Sequence, residues 1–248
     1  MSVRSVVLLF VLILSACWSG AWAAGGVYLD DVKVTNNGAV ALFDNFDDGG
    51  LTGWYNLSDA TCECKSGKPP CGMLLNKHIF CAAGASHNLA IGQPEVVELS
   101  ANVFVTPPEE QYDIAVKKYA ASTCKCGCGG PSDIMYITLY AEATVPPRKT
   151  TPKVDFYIQQ VGSEAGCRVG VEATQSNGST SRSGCSGAPI PQRQWTPILL
   201  RLDPRTKLAR LFVDGRQVSQ TGYDPASLSQ IQQLNLCCGF GDGSKRKD

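Results

Sequence analysis

Short runs of alternating or β-branched residues, each cut off by a turn-forming pair, recur along almost the whole chain. They lie at Val27–Val34, Val40–Phe46, Val96–Val105, Ile134–Ala143, Val154–Val161, Cys167–Thr174, Trp195–Asp203, Leu208–Val213, Arg216–Ser219 and Leu234–Cys238, with weaker ones at Met73–Phe80 and Asn88–Ile91. Asn37-Gly38, Asp48-Gly49-Gly50, Pro107-Pro108, Pro146-Pro147, Asn177-Gly178 and Asp214-Gly215 separate them. Many short strands at such spacing, with no long segment of 3.6-residue period, predict an all-β sandwich or barrel. Only Ala226–Leu234 reads as a short helix or single helical turn, and the polar end, Gly241–Asp248, reads as a frayed tail.

Parity within three consecutive runs separates a core face from a second face. Met135, Ile137, Leu139 and Ala141 share one side of their strand, with Tyr136, Thr138, Tyr140 and Glu142 on the other. Val154, Phe156 and Ile158 oppose Asp155, Tyr157 and Gln159. Val169, Val171 and Ala173 oppose Arg168, Gly170 and Glu172. If the three strands are neighbours, the second rows merge into one polar, tyrosine-bearing surface. Such a surface is either a solvated sheet face or a ligand groove. As a groove it suits sugars, with Tyr136, Tyr140 and Tyr157 as stacking platforms and Gln159, Arg168 and Glu172 as hydrogen-bonding groups for hydroxyls.

The start of the chain reads as an export signal. Arg4, the apolar run Val6–Leu14 and the Ala21-Trp22-Ala23 cleavage pattern form a secretory leader over residues 1–23. Two alternatives stay open: lipidation at Cys17 within Leu14-Ser15-Ala16-Cys17, the one route to a membrane besides an uncleaved anchor over Ser5–Leu29. Each places the rest of the chain outside the cytosol, secreted or at a cell surface. Eleven of the twelve cysteines follow the leader. In an exported chain they predict disulfide staples, with at least one cysteine left over. The clusters Cys62-Glu-Cys64 and Cys124-Lys-Cys126-Gly-Cys128 sit in Gly/Pro/Lys-rich segments and read as stapled loops, because zinc ligands usually sit at wider spacing. Cys167 and Cys185 flank a Ser/Gly-rich stretch, 171–184, that reads as one loop.

Two segments resemble laminin-G-like domains of the concanavalin A-like lectin/glucanase superfamily. One is Trp195–Ser219 (WTPILLRLDPRTKLARLFVDGRQVS), with Trp195, Ile198-Leu199-Leu200, Asp203, Leu211-Phe212-Val213 and Asp214-Gly215 in the family's order. The other is Phe43-Asp44-Asn45-Phe46-Asp47-Asp48-Gly49 followed by Gly53-Trp54. Together they cover under a quarter of the chain. The resemblance implies an antiparallel two-sheet jelly-roll sandwich over residues 24–241, with a tail at 242–248. Tyr28-Leu29-Asp30-Asp31-Val32-Lys33-Val34 is similar to the strand that closes such domains, yet here it precedes the opening motif. That order implies a circular permutation or one piece of a tandem array, and it predicts burial of Leu29 and Val32.

Catalytic patterns are sparse. The enzymes of that superfamily carry Glu-x-Asp-x-x-Glu on one strand, and no such spacing occurs. There is no G-x-S-x-G, phosphate-binding glycine loop or H-E-x-x-H, and only two histidines, His78 and His87. Glu142, Asp155 and Glu172 leave a glycan-active enzyme as a minor alternative. Lys plus Arg equals Asp plus Glu at 22 each, which argues against a nucleic-acid partner. Asp30, Asp31, Asp44, Asp47, Asp48 and Asp242 fall in segments that the permuted arrangement brings together, so a structural calcium site is expected there. The sequence as a whole points to a non-catalytic, exported domain that binds a glycan or an extracellular surface ligand. Its rival is a structural or adhesive surface protein that assembles through its loops.

Overall fold

The computed structural model describes residues 26–58, 60–63, 72–76, 83–105, 133–142, 151–160, 166–184 and 190–238. Among them every regular element is a strand, and the strands form two antiparallel sheets of eight. Sheet A runs β15 (Arg216–Gly222), β14 (Leu208–Val213), β13 (Thr196–Asp203), β7 (Val97–Val105), β1 (Gly26–Asn36), β5 (Gly72–Asn76) and β4 (Ala60–Glu63), with β2 (Ala39–Asp44) also paired to β1. Sheet B runs β11 (Thr180–Gly184), β10 (Gly166–Thr174), β9 (Lys153–Gln160), β8 (Asp133–Tyr140), β16 (Ile231–Cys238), β6 (Ala83–Ile91) and β3 (Trp54–Ser58), with β12 (Ile190–Pro191) on β10. The expected all-β, two-sheet architecture is therefore what the chain adopts.

Period-two burial builds the core between the sheets. Along β7, Val97, Leu99, Ala101, Val103 and Val105 are buried, and the residues between them are not. Ile198, Leu200 and Leu202 of β13 meet this face from one side. From sheet B come Met135, Ile137 and Leu139, Val154, Phe156 and Ile158, and Val169 and Val171, all essentially inaccessible. Burying each such side chain contributes about 1.5–3 kcal/mol. The sheets meet along β15 and β10–β11, where the Ser219 hydroxyl donates to the Ser183 carbonyl at 2.9 Å and the Ser181 and Thr221 hydroxyls lie 2.6 Å apart.

The N-terminal strand is central, not an arm. Val27, Leu29, Val32 and Val34 all enter the core. The one three-residue step in that series is a bulge at Asp31, where φ is 51° and the register against β7 shifts. Aspartate tolerates this conformation better than most residues. Here the Asp31 amide donates to the Asp30 carboxylate (2.9 Å), and the Asn102 amide donates to the Asp31 carboxylate (2.7 Å). The bulge also divides the other edge of β1: residues 26–29 pair with β5 and residues 32–36 with β2.

The two resembling segments are ordered by their own turn chemistry. Asp214 and Gly215 both have positive φ, as a two-residue type I′ turn requires, and they join β14 to β15. In the other segment, the Asp44 carboxylate accepts from the Phe46 amide at 2.8 Å and from the Trp54 indole N–H at 2.7 Å, which seats both rings against the core.

Three expectations change. Ala226–Leu234 is a turn leading into β16, not a helix: the Asp224 carboxylate caps the Ala226 and Ser227 amides, and the chain then extends. The 171–184 stretch is not one loop but the β10–β11 hairpin, turned by Asn177-Gly178 with Gly178 at φ 79°. Finally, β3 and β4 form where no run stood out. Of the cysteines, Cys62 is described with a free thiol that donates to the Phe46 carbonyl at 3.5 Å; burial, with Asp48, Asp44 and Asp30 nearby, pushes its pKa up. The side chains of the other cysteines, and the leader, lie outside the described residues.

Candidate functional site

The residues opposite the core on sheet B form continuous cross-strand rows. Strands β8, β9 and β10 are neighbours, as the merged-face expectation required. In register across seven strands stand Arg182, Glu172, Asp155, Thr138, Asn235, Ser86 and Tyr55. A second row holds Thr174, Lys153, Tyr140, Gln233 and Asn88. A third holds Gly184, Gly170, Tyr157 and Tyr136.

Hydrogen bonds and ion pairs tie these rows into one network. Asp155 is fully buried, accepts from the Thr138 hydroxyl, and pairs with the Lys153 ammonium at 2.6 Å. Burial pulls the Lys153 pKa down, but the Asp155 carboxylate and Tyr140 outweigh it and hold the group above its ordinary value. Burial likewise raises the Tyr140 phenol, against the lowering effects of Lys153 and of hydrogen bonds with Asn235 and Thr138. Glu172 pairs with Arg182 at 3.4 Å. The Ser86 hydroxyl donates to Asn235 at 3.1 Å, and the Tyr55 hydroxyl donates to the Asn88 carboxamide at 2.7 Å.

The tyrosines lie on the expected face but are not open platforms. Tyr136, Tyr140 and Tyr157 are only 8%, 7% and 2% accessible. The Tyr157 ring lies flat across β10. Its hydroxyl reaches the Ser183 carbonyl on β11 at 3.1 Å, and the Arg182 guanidinium caps the ring at 4.0 Å. Gly170 makes this possible, because a Cβ there would come within 2.2 Å of the phenol oxygen. Arg168 is exposed and Glu172 half-buried; Gln159 pairs with Arg168 through the strand register, and its side chain lies outside the described residues. Sequence reasoning missed Ser86, Asn88, Gln233 and Asn235. Leu234 and Leu236 point into the core, so the alternation of β16 alone would have placed Asn235 on the opposite side with the tyrosines.

At the end of this face, β6 and β16 border an open groove of about 510 Å³. Asn88, Ala90, Gly92, Gln230 and Gln232 are among its lining residues. A second pocket of about 200 Å³, lined by Pro94, Pro204, Tyr223, Pro225 and Leu228, is smaller and more apolar.

Among the described residues the expected calcium ligands do not converge on one point. No group of three or more His, Cys, Asp or Glu side chains able to hold a metal occurs among the described residues. The carboxylates are engaged locally instead: Asp30 by the Asp31 amide, Asp31 by Asn102, Asp44 by Phe46 and Trp54, Asp47 by Asn45, and Asp48 by the Gly50 amide. These are turn and bulge contacts of the kind aspartate favours. Asp242 lies outside the described residues.

No protein-family profile and no curated protein sequence matches the chain. Among solved structures it is similar to the Emp46p carbohydrate recognition domain, at 13% identity over 82% of this chain and 87% of that one, with a TM-score of 0.47. It is also similar to the apo Crh5 transglycosylase, at 15% identity over 90% of this chain and 73% of that one, TM-score 0.44. A third likeness is to the CBM40 module of a Ruminococcus gnavus IT-sialidase, at 14% identity over 46% of this chain and 68% of that one, TM-score 0.27. Likenesses of this order assign neither a ligand nor a reaction to the chain.

Proposed function

We propose that the chain is a non-catalytic binding domain whose outer face on sheet B holds a glycan. The observation that carries this reading is the polar network opposite the core, in which Asn235, Asn88 and Tyr55 reach the surface on neighbouring strands while the buried Thr138 and Ser86 hydroxyls hold it together from within. Rigid sheet elements hold them, which favours recognition of several hydroxyls at fixed spacing. The sequence resemblance to lectin-type domains points the same way.

The same face supports binding over hydrolysis. Asp155 and Glu172 are directly opposed on adjacent strands, the one place among the described residues where two acids meet on this surface. Each is held by a cation, Lys153 or Arg182, and Asp155 has no exposed surface. A glycosidase needs one carboxyl as acid and another as base or nucleophile, both reaching the sugar. The leader-like residues 1–23 support a location outside the cytosol, where such a ligand would be met.

The test is retention of the chain on immobilised glycans, with free reducing ends assayed in the same wells. Retention without release is expected. Release of reducing ends that disappears in Glu172→Gln would overturn the non-catalytic assignment.

A further inference from the structure

We propose that Asn56 and Asn177 are modified with N-linked oligosaccharides, one near each end of the strand order of sheet B. This goes beyond the ligand-binding reading and rests on the export expected from residues 1–23, not on the polar face. Asn56-Leu57-Ser58 and Asn177-Gly178-Ser179 are the two places in the chain where serine or threonine stands two positions after an asparagine with no proline between. In an exported protein that pattern is the acceptor for N-glycosylation. The transfer joins the Asn Nδ2 to the anomeric carbon of a polyprenyl-diphosphate-linked oligosaccharide. The C–N bond forms, the C–O bond to the diphosphate breaks, and the lipid diphosphate leaves with the bonding pair. The Nδ2 gives up one proton to a carboxylate of the transferase.

The fold uses these two asparagines differently from others outside the pattern. The Asn36 Nδ2 donates to the Gln93 carbonyl at 3.1 Å, the Asn45 Nδ2 to the Asp47 carboxylate at 2.6 Å, and the Asn102 Nδ2 to the Asp31 carboxylate at 2.7 Å. Asn56 and Asn177 are exposed, and among the described residues no hydrogen bond occupies either Nδ2. Asn177 is held through its other side-chain atom: its Oδ1 accepts from the Ser179 amide at 2.8 Å. It lies at the tip of the β10–β11 hairpin, where Gly178 and Ser179 are exposed as well. The fold thus holds this side chain in place and leaves the reacting nitrogen in solvent. Asn56 lies in β3 with φ 52°, where the register against β6 breaks between Tyr55 and Ser58. That irregularity stands on the last strand of sheet B, and the next residue, Leu57, is 48% exposed. Edge strands are usually guarded by charged residues or proline, and Trp54–Ser58 has neither. A hydrophilic oligosaccharide beside Leu57 supplies that guard.

The full chain with its own leader would be expressed in cultured eukaryotic cells and recovered separately from the medium and from the cells. Each fraction would be treated with peptide N-glycosidase in heavy-oxygen water, then resolved by gel and by peptide mass spectrometry. Asn56→Gln, Ser179→Ala, Ser179→Thr and the double variant Asn56→Gln with Ser179→Ala would run beside the wild type. We expect the chain in the medium to lose two mobility steps on treatment and to carry labelled aspartate at positions 56 and 177. Asn56→Gln and Ser179→Ala should each lose one step, and their combination none. Ser179→Thr, which keeps the acceptor pattern, should lose two. A chain in the medium that is unmodified at either asparagine overturns this inference and leaves the export reading standing. A chain confined to the cells and unmodified at both overturns the two together.

Discussion

Replacing Gly170 with alanine should destabilise the protein, although the usual effect of such a change at an unstrained position is the reverse. Where native φ and ψ suit both residues, Gly→Ala stabilises by about 0.4–1 kcal/mol through the unfolded chain. Gly170 has no positive φ, so the backbone would accept alanine. The space would not. The new Cβ falls 2.2 Å from the Tyr157 phenol oxygen, 2.3 Å from its ring carbon and 2.5 Å from the Ser183 carbonyl oxygen. The first two belong to a side chain that can swing away, but the third is backbone of the paired strand. Overpacking of this kind costs about 1–3 kcal/mol. Expelling the ring also forfeits the Tyr157–Ser183 hydrogen bond, about 0.5–1.5 kcal/mol. Offset by the entropic gain, the net loss is about 0.5–4 kcal/mol. Urea unfolding at constant m-value would read it directly. Tyr157→Phe provides the comparison: it keeps the ring over Gly170 and should lose only the hydrogen-bond share, about 1 kcal/mol. If Gly170→Ala were neutral or stabilising, the ring could not lie across β10, and the account of why these tyrosines are buried would fail.

Other consequences are as direct. Leu139→Ala should cost about 2–5 kcal/mol in denaturant unfolding, because its side chain is wholly within the core. Asp44→Ala, which releases the Phe46 amide and the Trp54 indole, should cost about 1.5–3 kcal/mol and red-shift the tryptophan emission. The pH dependence has a definite sign. Tyr140 and Lys153 are raised from their ordinary values of 10.0 and 10.5, so their contribution to stability is complete below about pH 10 and is lost as pH rises through the higher folded values. Unfolding midpoints measured from pH 8 to 11.5 should fall at the alkaline end, and Tyr140→Phe, which removes one titrating group and lessens the upward shift of the other, should flatten that fall.

Much of the fold could be read from alternation because aliphatic residues recur at every second position in the strands that build the core: β7, β8, β9, β13 and β14. The hairpin at Asp214-Gly215 follows from its turn residues, whereas the one at Asn177-Gly178 was hidden because the Ser/Gly-rich stretch around that turn reads as a loop. The elements that escaped notice lack that pattern. Thr180–Gly184 has no aliphatic residue, and its place is set by pairing with β10. Trp54–Ser58 is held largely by one tryptophan and its long-range partners. The Asp31 bulge shows why parity must be counted piecewise, since a rigid alternation from Val27 would have put Val32 and Val34 outside.

The candidate site was legible in part. Parity placed Tyr136, Tyr140 and Tyr157 opposite the core, and the neighbouring strands put them side by side. Their burial was not legible, because it depends on Gly170 beneath one ring and Arg182 above it, residues on two other strands. The aspartates were legible only as a cluster for a related reason: a carboxylate that caps a turn and one that binds a cation look alike until the neighbouring amides are placed. Asn88 and Gln233 stand out only when two strands distant in sequence lie together.

The central claim is that the outer face of sheet B, at its β6–β16 end, is where a ligand is held. Backbone amide shifts of the isotope-labelled chain, followed while an oligosaccharide that retains the chain is added, test this most directly. Perturbations centred on Ser86, Asn88, Tyr140, Gln230, Gln233 and Asn235, with sheet A unmoved, are the result expected. Shifts confined to sheet A or to the Pro94–Tyr223 pocket, or none at all, would contradict it.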